Sequence, residues 1–290
     1  MSIIAVIDFD SSGTATGHRL ADAGAPLLRV DDLGATRGDG VFETASLVHG
    51  HVQALEAHLT RLVQSASMLE LPRPEVGVWR DAVRAVAEEL TSQGIVAGSI
   101  KLVLTRGVEG TDVPTGWVLG TASPDFTRDR TEGIRVVLLD RGYRHDVPQT
   151  APWLLAGAKT LSYAMNRAAG REAVRRGADD VIFVSSDAYL LEGPTSSLLL
   201  RFGNRLVTPR VDLGILAGTT QADLFTWAET VGFATGYELV TADDLERADA
   251  AWLVSSVRHV APIRAVDGRD RAIDADLTAR LNAALDARTS

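Results

Sequence analysis

Residues 156–166 read AGAKTLSYAMN and residues 190–197 read LLEGPTSS, and the segment they bound organises the rest of the chain. Lys159 follows Gly157 and Ala158 in a polar turn rather than in a charged run. A helical pattern follows it to about Arg176 and is ended by Gly177. Tyr163 stands one helical turn past the lysine. Val181–Ser185 and Tyr189–Leu191 then pattern as a hairpin about Ser186 and Asp187, which delivers Glu192 and Gly193 at its end. A lysine amine, a phenol and a carboxylate in this order offer a nucleophile, a hydrogen-bond donor and an anionic partner for a ring nitrogen. By spacing alone, the same residues also read as a solvated loop lysine and a turn glutamate.

The set suits pyridoxal phosphate (PLP): the lysine amine attaches to the aldehyde, the tyrosine bonds the ring phenolate, and the glutamate keeps the pyridine nitrogen protonated. The wording carries more than the spacing does. K-T-L-S-Y-x-x-N, then R-R-G-A-D-D-V-I-F, then L-E-G-P-T-S-S resembles the fold type IV PLP enzymes, the class IV aminotransferase family, and the resemblance runs from about residue 27 to residue 268. That family holds branched-chain aminotransferases, D-amino acid aminotransferases and 4-amino-4-deoxychorismate lyases. The resemblance implies a two-domain α/β (α+β) protein. A smaller N-terminal α/β domain is expected over residues 1–122, a linker over 123–132, and a larger C-terminal domain with a barrel-like sheet over 133–290, carrying the PLP lysine. It also implies PLP in the crevice between the domains, and a homodimer.

Three further stretches match in the family's order. R-G-D-G-V-F-E-T, residues 37–44, follows a strand-like run and a turn that begin at residue 27. Gly38 and Gly40 there permit backbone conformations other residues resist, and Arg37 and Glu43 are expected on or beside strands facing the cleft. H-L-T-R-L, residues 58–62, lies on a helix pattern over 53–71. The resemblance makes Arg61 the phosphate ligand; alone it reads as a surface helix arginine, with His58 a packing or supporting donor. L-A-G-T-T, residues 216–220, opens another helix pattern. A helix start offers unpaired N–H groups and partial positive charge, so Gly218, Thr219 and Thr220 are candidates for the phosphate. The family has an aliphatic residue where this chain has Thr219; the backbone role survives that change, and the bare alternative is a threonine cap without a ligand. The closing loop, residues 255–268, adds Ser255 or Ser256 by resemblance, and Ser196, next to Glu192, completes the cofactor candidates.

Substrate candidates are arginines, whose fork grips a carboxylate with two parallel bonds. Arg106 ends the strand pattern of residues 99–105, Arg258 projects from the closing loop, and Arg37 precedes the glycine turn. Arg141, Arg144 and His145 fall in a charge-rich loop. A lyase must seat two carboxylates of aminodeoxychorismate, whereas a transaminase for a simple amino acid anchors one. The wording resembles the lyases most, which implies production of 4-aminobenzoate and pyruvate, a folate precursor step. A branched-chain or D-amino acid aminotransferase is the alternative, and a PLP-binding protein without turnover the third reading.

The composition narrows the rest. A formal charge of −9 argues against nucleic acid or an anionic membrane as partner; an acidic chain can still gather arginines in one cleft for a small anionic amino substrate, which is the partner expected. With no cysteine, disulfides, zinc–thiolate sites and cysteine nucleophiles are excluded. The first apolar run, Ile3–Ile7, stops at Asp8 and reads as a strand, not a signal peptide, and no run approaches the ~20 residues of a membrane helix. A cytoplasmic enzyme is the expectation. No G-x-G-x-x-G, Walker, H-E-x-x-H or G-x-S-x-G motif occurs.

Overall fold

The structure is a computed structural model that describes residues 2–288. The chain divides into two compact units, each with its own sheet. Among the described residues, the first unit comprises 2–124 with 158–163 and 288, and the second 125–157 with 164–287.

In the first unit, β1 (Ser2–Phe9) and β2 (Ala15–Ala21) precede a short helix, α1 (Leu33–Arg37). Then come β3 (Gly40–Val48), β4 (His51–Val52), the helices α2 (Leu55–Met68) and α3 (Val76–Ser92), β5 (Ala97–Thr105) and β6 (Thr115–Ala122). The sheet order is β2-β1-β6-β5-β3-β4, and its paired strands are antiparallel. Both long helices form because their apolar residues recur on one face: Leu59, Leu62 and Ala66 on α2, and Trp79, Val83, Val86 and Leu90 on α3 are all buried. β3 buries Val41, Glu43, Ala45 and Leu47, every second residue. A glutamate therefore stands in an otherwise apolar row, which requires a charged partner beneath it.

The second unit opens with α4 (Thr127–Thr131), β7 (Ile134–Asp140), α5 (Val147–Thr150), α6 (Ala164–Arg175) and β8 (Asp180–Val184). It continues through β9 (Ser197–Phe202), β10 (Arg205–Pro209), α7 (Thr219–Thr230), β11 (Ala234–Glu238), α8 (Ala242–Arg247) and β12 (Ala250–Ser255). β13 (His259–Val266), β14 (Arg269–Asp270) and α9 (Ala275–Asp286) complete it. The sheet is mixed, in the order β11-β10-β9-β12-β13-β7-β8, with β14 on β13. Its central strands are buried on both faces, as strands covered on two sides must be. Leu198 and Leu200 enter one core cluster with Val207 and Leu253, while Leu199 enters another with Trp252, Leu224 and Leu281. The buried Trp252 indole N–H is satisfied by Thr278 Oγ1 at 2.8 Å.

The mixed α/β, two-unit architecture is the one the sequence leads to. Three local expectations differ. The run at residues 27–30 forms no strand; it precedes α1, which Asp32 caps by accepting from the Gly34 N–H at 2.8 Å. Residues 127–131 of the expected linker are helical. Ala158–Tyr163, assigned from the sequence to the second domain, belongs to the first unit, because its backbone pairs with β3.

Candidate active site

Lys159 owes its place to that pairing. Its carbonyl accepts from the Phe42 N–H at 3.0 Å, the Leu161 N–H donates to the Gly40 carbonyl at 2.8 Å, and Thr160 bridges Val41. The Lys159 N–H donates to Ser65 Oγ of α2 at 3.2 Å. The lysine thus sits in a bridged segment beside the start of β3, and the helix begins only at Ala164. Gly38 takes left-handed backbone (φ 68°), whereas Gly40 does not.

Lys159 Nζ lies 4.6 Å from the centroid of the Phe42 ring, and Tyr163 meets the same ring edge-on at 5.5 Å. Lys101 Nζ is 5.5 Å from that centroid as well. The chain has only these two lysines, and both ammonium groups lie over one aromatic ring. Lys101 is exposed and forms no ion pair among the described residues. It was not singled out from sequence as a functional residue; the register of β3 with β5, which places Phe42 opposite Val103 and Thr44 opposite Lys101, is what puts Phe42 and Lys101 on one face of the sheet.

On the other face of β3, Glu43 is fully buried. Arg61 donates to it from Nε and Nη2, both at 2.7 Å, and His58 Nδ1 lies 2.7 Å from Glu43 Oε2. Burial alone would raise the Glu43 carboxyl, but the Arg61 guanidinium, and then His58, outweigh it and hold its pKa at about 2. His58 is pushed below 6.5, first by burial, which outweighs the pull of Glu43, and further by the charges of Arg61 and Lys159. A neutral His58 must therefore donate from Nδ1 to the carboxylate, which fixes its tautomer.

In the second unit, Glu192 follows β8 in a turned-back segment. The Phe183 N–H donates to the Glu192 carbonyl at 2.9 Å, and Glu192 Oε1 accepts from the Leu216 N–H at 3.2 Å. α7 starts at Thr219 with Gly218 at its cap and no side-chain cap bond, and its first turn carries no acid. A Cβ on Gly218 would come within 2.3 Å of Ser197 Oγ, so a side chain there would have to turn that hydroxyl away. Thr220 Oγ1 and Ser256 Oγ are 3.3 Å apart beside this helix start. Ser196 Oγ is buried with no hydrogen-bond partner in the described structure. An uncapped helix start with neighbouring hydroxyls is the donor set a phosphate takes, and an ionised carboxylate suits a protonated ring nitrogen, so these residues fit PLP.

The substrate arginines have other partners. Arg106 donates to Asp39 Oδ2 at 2.6 Å, to Asp39 Oδ1 at 3.2 Å and to the Leu69 carbonyl at 2.7 Å. Arg258 donates to Asp180 Oδ2 at 2.7 Å. Arg144 faces Asp146 and Asp187. Arg37 is exposed on the last turn of α1.

A family model described as amino-transferase class IV matches residues 40–266. A bifunctional aminodeoxychorismate lyase/D-amino acid transaminase of Mycobacterium tuberculosis is 42% identical over 254 residues, covering 85% of this chain and 88% of that protein. A fold IV transaminase from Curtobacterium pusillum superposes with a TM-score of 0.95 at 55% identity, covering all of both chains. A hypothetical aminotransferase from M. tuberculosis in a PLP-bound form gives 0.91 at 40% identity, covering 98% of each.

Proposed function

Because this chain belongs to the class IV aminotransferase family, and so is a PLP-dependent enzyme, we propose that it is a 4-amino-4-deoxychorismate lyase releasing 4-aminobenzoate and pyruvate. The observation that carries this reading is the pair of lysines on Phe42. One is the reactive amine. The other is a cation beside the same ring, with no ion pair among the described residues, suited to a carboxylate remote from the reacting carbon. The similarity to the mycobacterial bifunctional lyase supports it.

PLP, when bound, supplies an electron sink for the carbon that bears the substrate amine. Lys159 attaches it and, between turnovers, keeps it in place. Lys159 Nζ takes the proton from the amine-bearing ring carbon and returns one to the methylene of the departing enolpyruvyl group. Aromatisation of the ring drives the loss. Tyr163 bonds the ring phenolate, Glu192 holds the pyridine nitrogen protonated, and Gly218, Thr219, Thr220, Ser196 and Ser256 take the phosphate with Arg61, whose fork Glu43 keeps oriented. Lys101 replaces the arginines as first candidate for a substrate carboxylate, since Arg106 and Arg258 are already engaged. The working unit in this reading is a homodimer.

Those engaged arginines favour a second reading, D-amino acid transamination, which needs one carboxylate grip, and the 55% identical fold IV transaminase supports it. The deciding experiment gives the purified holoenzyme aminodeoxychorismate alone, then L- and D-amino acids with 2-oxoglutarate or pyruvate. The lyase forms 4-aminobenzoate and pyruvate in equal amounts without any keto acid. Turnover only with an amino acid and a keto acid together replaces it with the transaminase.

A further inference from the structure

We propose that Asn166 and Arg141 are positioning residues that set the bearing of the Glu192 loop, and through it the strength with which Glu192 pairs with the cofactor's ring nitrogen. The proposal rests on the reading of Glu192 given above.

Asn166 lies in the first turn of α6. Its Nδ2 donates to the Pro194 carbonyl at 2.8 Å, two residues past Glu192, and its Oδ1 accepts from Arg141 Nη1 at 3.1 Å. A guanidinium only donates and a carbonyl only accepts, so the amide has one possible orientation and both its ends are used. Arg141 is itself fixed. Its Nε donates to the Tyr143 hydroxyl at 3.2 Å, and its guanidinium carbon rests 4.5 Å from the centroid of Phe183.

Phe183 closes the circuit. Its backbone exchanges two bonds with the Glu192 strand: its N–H donates to the Glu192 carbonyl, and its carbonyl accepts from the Leu191 N–H, both at 2.9 Å. The ring under Arg141 thus belongs to the residue that holds Glu192 from one side, while Asn166 holds Pro194 on the other. Arg141, Tyr143, Asn166, Phe183, Glu192 and Gly193 line one small pocket. The relay and the carboxylate therefore share one partly enclosed space, where a hydrogen bond is stronger than in water. No side chain of the relay has to touch the cofactor; it acts by where it leaves the carboxylate.

A double-mutant cycle tests this. Asn166→Leu removes both bonds, and Asn166→Asp keeps the acceptor for Arg141 but sets an oxygen against the Pro194 carbonyl. Each is made with Glu192 and with Glu192→Gln. The readouts are the PLP dissociation constant by equilibrium dialysis and the pH midpoint of the bound cofactor's absorbance. With Glu192 present, both substitutions weaken PLP by about tenfold, the effect of losing a charge-assisted contact, and move the midpoint. In the Glu192→Gln background the same substitutions change either readout by less than about twofold. Arg141→Lys, which keeps the charge and loses the fork and the stacking, follows the same pattern and stands in if Asn166→Leu gives no folded protein. Equal penalties in both backgrounds, or none with Glu192 present, overturn the proposal. A Glu192→Gln enzyme that matches the parent in both readouts removes the ring-nitrogen reading instead, and the relay loses its target with it.

Discussion

Glu43 is a carboxylate without solvent in a row of apolar side chains, and it stays ionised only because Arg61 grips it with two bonds. Replacing one member of such a pair leaves the other charge uncompensated, at a cost of about 3–5 kcal/mol. Glu43→Gln should lower the unfolding free energy by that order in urea titration. The pH dependence has a definite sign. The folded carboxyl, at about 2, lies below its ordinary value of 4.5. Its contribution is therefore full above about pH 5 and is lost as pH falls through about 2. His58 is held neutral below its ordinary 6.5, so the unfolded chain takes up that proton first, and the loss on acidification begins earlier in the same direction. In Glu43→Gln the decline between about pH 5 and 2 should flatten; an unchanged slope assigns it to other carboxylates. Lys159 has its own test. Borohydride reduction of the holoenzyme followed by peptide mapping should place the pyridoxyl group on Lys159, and Lys159→Ala should abolish turnover. A label on Lys101, which shares the Phe42 ring, would reverse the roles of the two lysines.

The start of α7 shows what an element adds to its residues. Its cap is Gly218, which has no side chain to compete for the first-turn N–H groups. Gly218→Ala brings a Cβ within 2.3 Å of Ser197 Oγ and crowds Gln221 Cβ at 3.3 Å, so the serine hydroxyl must turn away and the helix start must give. PLP affinity should fall by at least about tenfold, since phosphate binding at a helix start depends on aligned N–H groups; dialysis checks this, and unchanged retention removes the turn from the phosphate site. This helix was legible in the sequence, since its apolar period and its glycine are local signals. So were α2, α3 and the β8 hairpin. The strand expected near residue 27 was not there. Leu27, Leu28 and Val30 supply an apolar run, yet they are 38%, 40% and 92% exposed, because no neighbouring strand pairs with them. The backbone pairing at Lys159 was missed for the opposite reason. Its polar, glycine-containing wording reads as a turn, and only a partner more than a hundred residues earlier, Gly40–Phe42, makes it extended. The commitment of Arg106 to Asp39 was hidden in the same way. A strand-end arginine reads alike whether its partner is a substrate or a turn 67 residues away.

At the scale of the chain, neither unit is a continuous segment. The backbone leaves the first unit after Pro124, returns for Ala158–Tyr163, and leaves again at Ala164. The second visit brings Lys159 and pairs with the start of β3. A fragment ending at residue 124 keeps all six strands of the first sheet, and α1, α2 and α3, but it lacks the backbone that pairs with Gly40 and Phe42. That edge would present unpaired N–H and C=O groups, which is the usual template for association with another chain. Amide exchange reads the difference directly, because protection reports local opening. In the intact chain, the Phe42 amide donates to Lys159 and should exchange slowly, as should Leu161, which donates to Gly40. In the fragment, the Phe42 amide should exchange at least about a hundredfold faster, while Leu102, in the centre of the sheet on β5, keeps its relative protection. Adding a peptide of residues 156–166 in excess should slow Phe42 again and reduce association of the fragment. Equal protection of Phe42 with and without residues 158–163 would mean that the β3 edge is sealed by other contacts. The placement of Lys159 would then rest on its side-chain packing against Phe42 and the Ser65 bond alone.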